Sequence, residues 1–478
     1  MLAFLNDLLW GKVLIVGLIG VGLLFTVASK FVQFRYFGKM FAILGESTRR
    51  QEGHLSSFQA LALSVAGRVG AGNIAGVAVA ITLGGPGAIF WMWLIGLIGM
   101  STSFFECTLA QLFKVAEPDG TYRGGPAYYI EKGLGKRWLS ALFSVLLLVT
   151  FGFGFNALQS YTVATSINDT FGISTRITGV VLMVVLGLVI FGGIKRIAEV
   201  AEYVVPVMAA GYFLMALFVL MTNFSEIPGV FAYIIRNAFG LQEIVGGTLG
   251  ATIIWGVKRG LFSNEAGLGS APNVAAVAYV EHPANQGIIQ AFSVFIDTII
   301  LCSCTAAIIL LSSVYEPGTD VGGVTMTQAA MGEHLGWWGQ AFVTIALVLF
   351  SFTSIIYNYY LGENSLNFFS QENKLLFNGF RVLTLALIIW GAVQDLSTVF
   401  GFADVTMGLL AIVNLVALVM LFKISLQVMR DFDRQIAAGV TQPIFDSDRF
   451  PGLNLDRKAW PPANLTPELD PSATPEMG

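Results

Sequence analysis

Charge is what this sequence has least of: 12% of its 478 residues are Asp, Glu, Lys or Arg, about half the share found in soluble domains. A chain that is also 55% hydrophobic, with a mean hydropathy of +0.73, has too little polar surface to cover a soluble globule. Its apolar runs read as a polytopic membrane protein. The formal net charge of −4 offers no basic face to nucleic acid. Cysteine is nearly absent, and Cys107, Cys302 and Cys304 provide neither a disulfide frame nor a zinc spacing. All three fall in apolar runs, as small buried hydrophobes do. His54, His282 and His334 sit apart near helix ends or in loops. No His cluster or Cys–His pair is therefore available, which leaves an intramembrane enzyme without a catalytic constellation. A Walker A run is missing, so this chain carries no ATP site of that kind. Repeated charged rings and filter-like loops are missing too, which disfavours an ion channel.

Spans of about 20 apolar residues predict eleven membrane helices and an all-α polytopic fold. The first covers residues 9–28 and is read as peripheral. Asp7, and the lack of a cation before Lys12, argue for a retained helix rather than a signal peptide. Ten more follow at 54–83, 87–113, 139–165, 177–193, 200–222, 244–280, 288–312, 339–362, 376–393 and 398–421. Cations test this map, because Lys and Arg collect in cytoplasmic loops. Of the 26, Lys12, Arg176 and Arg236 fall on the outer side and Arg68, Lys258 and Arg259 inside spans. All the others, Arg49 and Arg50 among them, fall on one side if the amino terminus is outside. The expected location is the cell (inner) membrane, with the carboxyl terminus in the cytoplasm.

The ten core helices divide into five and five, and an odd repeat length makes the second five run in the opposite sense. The expected units are 1–30 (peripheral helix), 54–223 and 240–425 (the inverted repeats), and 426–478 (a polar cytoplasmic tail). The proline-rich end of that tail, Pro461, Pro462, Pro467, Pro471 and Pro475, reads as disordered.

The first core helix carries Gly67-Arg-Val-Gly-Ala-Gly-Asn-Ile-Ala-Gly76 at its centre. Each glycine costs about 1 kcal/mol against alanine in a helix interior, and an arginine at bilayer depth costs roughly 2.5–3.5 kcal/mol. Such a stretch predicts a broken helix lining a cavity. The inverted repeat then requires a break at the start of the second half. The segment 244–280 would be about 55 Å long as a straight helix, far more than the bilayer core needs, and its middle holds Trp255-Gly-Val-Lys-Arg-Gly-Leu-Phe-Ser-Asn-Glu-Ala-Gly-Leu-Gly-Ser-Ala-Pro272. Two glycine-rich interruptions at matching positions mark a transporter's binding site.

In the first break, free N–H groups at Gly70, Ala71 and Gly72 suit a carboxylate, and carbonyls near Ala66 and Val69 suit a hard cation such as Na⁺. Asn73 completes an ion site or holds the substrate. In the second break, carbonyls of Trp255 to Lys258 would accept from an ammonium group, and Trp255 or Phe262 would wall a small pocket. Lys258, Arg259 and Glu265 are read first as a buried structural or gating ion-pair network, which Arg68 joins with Glu106 or Asp297 as counter-ion. Single acids inside membrane helices are functional candidates, so Glu106 or Asp297 either carries a coupling proton or pairs with a base. Asn156 and Gln159, three apart on one helix face, either face the cavity or bond between helices. Ser351, Thr353 and Ser354 either ligate an ion or bond their own backbone.

These motifs resemble the alanine or glycine:cation symporter family. The likeness rests on residues 69–78, 84–93 (Gly-Gly-Pro-Gly-Ala-Ile-Phe-Trp-Met-Trp), 192–195 (Gly-Gly-Ile-Lys) and above all 255–272, and it runs from about residue 50 to 425. It implies a LeuT-like fold with broken first and sixth core helices, plus one extra amino-terminal helix. It also implies uptake of a small neutral amino acid by symport with Na⁺, or less often H⁺, without another cofactor. Carbonyls of Ala66 and Val69 with hydroxyls of Thr353 and Ser354 would form one Na⁺ site. Gly70, Ala71, Gly72, Asn73, Gln159 and the Trp255, Gly256 to Gly260 region would surround the amino acid. Arg68 and Ala71 stand where other members can have threonine, so position 71 offers no hydroxyl. A proton-coupled or glutamine-preferring symporter is the alternative. The resemblance gives no oligomeric state.

Overall fold

The computed structural model describes residues 2–46, 55–118, 120–240, 249–316, 323–370 and 373–461. Among the described residues eight helices are long and apolar enough to cross a membrane, and a ninth span is a pair bent by 49°. Thr175–Ile190 and Leu249–Asn264, at 16 residues each, are shorter members of the same bundle. All eleven expected spans therefore have a helical counterpart. Exposed Val181, Leu188, Tyr203 and Val207 lie on its outer surface, where lipid would cover them.

The amino-terminal helix is Phe4–Ala28. The core helices are 1 (Ser57–Arg68 and Gly72–Gly84), 2 (Ala88–Leu112), 3 (Arg137–Phe171), 4 (Thr175–Ile190), 5 (Ile194–Thr222), 6 (Leu249–Asn264 and Ala271–Ala275), 7 (Pro283–Leu310), 8 (Trp337–Phe369), 9 (Lys374–Ala392) and 10 (Leu396–Ala437). A short helix joins the second to the third member of each half, Pro126–Leu134 in one and Val324–Leu335 in the other. Position 54 and positions 244–248, the expected starts of core helices 1 and 6, lie outside the described residues. So do Arg49, Arg50 and the proline-rich end from residue 462.

Core helix 1 starts on a capping box: Ser56 Oγ accepts from the Gln59 amide and Gln59 Oε1 accepts from the Ser56 amide. It leaves the helical conformation at Val69, whose backbone is extended (φ −81°, ψ 93°), and resumes in a π-helical turn at Gly72–Gly76. Three other π-helical turns occur among the described residues, at Leu9–Val13, Leu148–Phe155 and Phe295–Leu301. The last two fall in core helices 3 and 7, at the level of the break.

The sixth core helix corrects one expectation. Leu249–Asn264 is continuous, so the carbonyls of Trp255 to Lys258 lie within helical turns and are not free to receive an ammonium group. Gly256 and Gly260 face core helix 2: a methyl on Gly256 would meet the Trp91 side chain, and one on Gly260 would overlap Ile95. These glycines let two helices approach closely. The break comes one turn later, between Asn264 and Ala271. Gly267 (φ +87°) and Gly269 (φ +80°) supply left-handed turns there. Glu265 shares that conformation at φ +54°, uncommon for a residue with a side chain.

Two peripheral segments are more firmly docked than their composition implies. Core helix 10 continues to Ala437, and the chain after it returns to the bundle. Phe445 N–H donates to the Glu281 carbonyl (2.8 Å), and Trp460 Nε1 donates to the Gln111 carbonyl (3.0 Å). Lys114 Nζ sits 4.0 Å from the centre of the Tyr122 ring and 4.5 Å from that of Trp460. Burial pushes this ammonium group down to about 7. The amino-terminal helix buries Trp10 and Leu14 against core helix 10, and its Gly22 lies against Ile98 of core helix 2.

Candidate functional site

The two breaks face each other at the centre of the bundle, with core helices 3, 7, 8 and 10 around them. Ser354 on core helix 8 points into the first break. Its Oγ lies 2.9 Å from the Ala66 carbonyl oxygen, 3.3 Å from those of Gly67 and Val69, and 3.0 Å from that of Phe350. One hydroxyl proton cannot serve four acceptors. Thr353 Oγ1 adds a second hydroxyl, 3.5 Å from the Ala66 carbonyl. These are neutral, hard oxygen donors gathered where a helix has opened, the donor set that suits a small hard cation. Ser351, one turn away, has a buried hydroxyl without a hydrogen-bond partner among the described residues and takes no part.

The free amides of the first break are held rather than open. Gly70 N–H donates to Asn73 Oδ1 (3.0 Å) and Ala71 N–H to Gln159 Oε1 (3.0 Å). A side chain on Gly70 would overlap Ser354 Oγ and Gln159, so this position has room only for backbone or bound solute. Gly72 lies under the Phe262 ring, and a methyl added to it would come within 3.1 Å of that ring. Phe262 packs 4.9 Å from Phe155 and 5.9 Å from Phe400, centre to centre. The result is a small apolar wall opposite a cluster of polar groups. Gln159 faces the break, whereas Asn156 Nδ2 bonds its own helix at the Gly152 carbonyl (3.2 Å). Trp255 lies two helical turns from Phe262, beside Gly84.

Asn73 also reaches core helix 7. Its Nδ2 donates to Asp297 Oδ1 (2.6 Å), and the other Asp297 oxygen accepts from Ser263 (2.8 Å) and Thr298 (2.7 Å). Asp297 thus stands on a ring of neutral donors rather than beside a base. Glu106 braces the second break, accepting from Gly267 N–H (3.2 Å) and Asn414 Nδ2 (3.1 Å). Glu265 accepts from Ser270 (2.5 Å) and Tyr357 (3.2 Å).

Arg68 has no carboxylate partner within 4.0 Å among the described residues. Its guanidinium instead donates to the Gln290 carbonyl (3.1 Å), to Ser293 and to Ser103 (3.1 Å). Neither Glu106 nor Asp297 is therefore its contact counter-ion. The expected network of Lys258, Arg259 and Glu265 is likewise redrawn. Both cations converge on Asp404 of core helix 10, Lys258 Nζ at 2.6 Å and Arg259 through Nη2. Asp404 was the missing partner. It is a lone acid inside the span 398–421, a signal that the rule for intramembrane charges would have caught.

The chain matches the model of the sodium:alanine symporter family over residues 1–447. The chain belongs to that family. It is 47% identical over 458 residues to the probable sodium/glutamine symporter GlnT of Bacillus subtilis (strain 168), with 95% of each chain covered. It is 46% identical over 455 residues to the amino-acid carrier protein AlsT of the same organism, covering 95% of this chain and 96% of the relative. Among solved structures it is similar to MhsT in complex with L-phenylalanine, at a TM-score of 0.56 and 14% identity over 80% of this chain and 99% of that one. The LeuT-like fold follows. As a member of this family the chain is an integral membrane transporter, not an enzyme, and its co-substrates are an amino acid and Na⁺ or H⁺.

Proposed function

We propose that this protein imports a small neutral amino acid of the alanine and glycine class, coupled to Na⁺, by alternating access. The observation that carries the reading is the crowding of Ser354 Oγ by three carbonyl oxygens at the end of the first half-helix, beside the Phe350 carbonyl of its own helix. A cation among these oxygens would let both hydroxyls turn their lone pairs inward, with Ala66, Val69, Thr353 and Ser354 as ligands. The substrate carboxylate would then take the amides of Gly70 to Gly72 from Asn73 and Gln159. Its side chain would meet the Phe262 wall, which favours a small residue. Lys258, Arg259 and Asp404 would close the site on its outer side, taking the cation-rich loops as cytoplasmic.

The test is uptake of labelled alanine, glycine and glutamine into proteoliposomes under an inward Na⁺ gradient, a proton gradient, or neither. Na⁺-driven accumulation of alanine or glycine is the expected result. A second reading has an observation of its own: Asp297 holds its carboxylate within one hydrogen bond of Asn73. Accumulation driven by protons alone would transfer coupling to Asp297 or Glu106. Glutamine uptake without alanine uptake would align the chain with its relative named for glutamine, and no uptake of any amino acid would end the symporter reading.

A further inference from the structure

We propose that Trp10, on the helix preceding the ten-helix core, is a positioning residue of the outer gate and acts through Asp404. The inference rests on the reading of Lys258, Arg259 and Asp404 as that gate. The three side chains are buried, with two cations against one carboxylate. A buried ion pair holds only where its geometry is fixed and its charges make further contacts. Trp10 supplies both. Its Nε1–H donates to the Asp404 backbone carbonyl (3.1 Å), and its ring centre lies 5.7 Å from Lys258 Nζ, with the Trp255 ring at 4.9 Å completing the cover. The indole is 2% exposed although it belongs to a helix outside the core.

The surroundings of Trp10 fix it in this place. The π-helical turn Leu9–Val13 contains it, and such turns recur at functional positions. Gly408, one turn beyond Asp404, leaves the space: a methyl there would come within 2.9 Å of Leu14 and 3.5 Å of the indole nitrogen. Asn6 Nδ2 donates to the Gly401 carbonyl (3.3 Å). The face of core helix 10 from Gly401 to Gly408 is therefore bound to the amino-terminal helix. The far half of that helix joins core helix 2, where Thr26 and Ser101 share a hydrogen bond of 2.9 Å.

A short chain of contacts runs from there to the binding region. The Arg259 guanidinium lies 5.0 Å from the Phe400 ring and 5.2 Å from the Phe262 ring, and Phe262 covers Gly72. Moving Asp404 thus releases Arg259 and, with it, the wall over the first break. Without the indole, water reaches the ion pair and raises the local dielectric, which weakens the attraction severalfold. The gate then opens more often.

Cys302 is a native reporter of that opening, since its sulfur lies 3.4 Å from Asn73 Nδ2 inside the closed site. In full-length protein with Cys107 and Cys304 replaced by alanine it is the sole thiol. Its modification by a membrane-impermeant thiol reagent added outside intact cells should quicken about fivefold in Trp10→Ala, as befits loss of one hydrogen bond's worth of restraint. Trp10→Phe, which keeps an aromatic ring but loses the N–H with the pyrrole part of the indole, removes the same hydrogen bond and should quicken it by about the same factor; it carries the test if Trp10→Ala fails to fold. Asp404→Asn should quicken labelling on its own, and adding Trp10→Ala to it should change the rate by less than twofold. Unchanged labelling in both Trp10 variants would overturn the proposal, and so would effects of Trp10 and Asp404 that multiply. Labelling needs no transported solute, so an incorrect substrate or coupling ion would leave this result standing.

Discussion

Ser354→Ala is the most incisive change to the ion site. The substitution removes one oxygen that stands within 3.3 Å of the Ala66, Gly67 and Val69 carbonyls and leaves the backbone carbonyls in place. A contact to a charged group contributes about 1.5–3 kcal/mol, against about 1 kcal/mol for a neutral hydrogen bond. Loss of one ion ligand should therefore weaken Na⁺ binding roughly 10- to 150-fold, since 1.4 kcal/mol is a factor of ten, while folding loses about 1 kcal/mol. The assay is the Na⁺ concentration for half-maximal uptake in proteoliposomes, with thermal unfolding in detergent as the check on the fold. Ser351→Ala is the matched control, because that hydroxyl lies on the same helix, fully buried, and has no partner among the described residues. Its Na⁺ dependence should match that of the unaltered protein. An unchanged half-maximal Na⁺ concentration in folded Ser354→Ala protein would refute the site.

Gly260→Ala should lower thermal stability by overpacking against Ile95, about 1–3 kcal/mol, and leave the apparent Na⁺ affinity untouched. A selective change in amino-acid affinity with normal stability would return this glycine to the binding site. Lys114→Met tests the docked tail. Folding lowers the Lys114 pKa from 10.5 to about 7, so the unfolded chain binds the extra proton between those values. Stability from this group rises with pH across that window. The unfolding temperature of Lys114→Met relative to the unaltered protein should accordingly fall as pH rises from 7 towards 10.5, and a difference independent of pH would remove the burial argument.

Much of the central site was legible because breaking a membrane helix demands an unusual sequence. Gly70, Gly72 and Asn73 have no place in a lipid-facing helix, and the inverted repeat pointed to a second break. The position of that second break was harder to read. Gly256 and Gly260 lie in the same motif as Gly267 and Gly269, and composition does not separate a glycine that admits a neighbouring helix from one that adopts a left-handed turn. Asp404 stands out as a lone intramembrane acid, but its partners were hidden by distance, since nothing local in core helix 10 says that two cations some 145 residues earlier converge on it. The segment after core helix 10 misled through polarity: Phe445 and Trp460 are few, yet both are buried. Trp10 was hidden by position, on a helix whose own pattern gives no reason to assign it to the core.

The π-helical turns at Gly72–Gly76, Leu148–Phe155 and Phe295–Leu301 have a consequence for how this chain tolerates changes of length. Each is an inserted residue absorbed within one turn. Deleting a residue inside the turn would restore ordinary α-helix and keep both flanking halves on their present faces. The same deletion elsewhere in the helix would rotate everything beyond it by about 100° and carry its apolar stripe away from the core. Asn73 and Asp297 lie inside two of these turns, and Gln159 follows the third by one turn. A single-residue deletion there would re-aim one site group while the rest of its helix kept its packing. These are the points in the sequence where evolution can adjust the solute-facing groups by insertion and deletion without rebuilding the bundle.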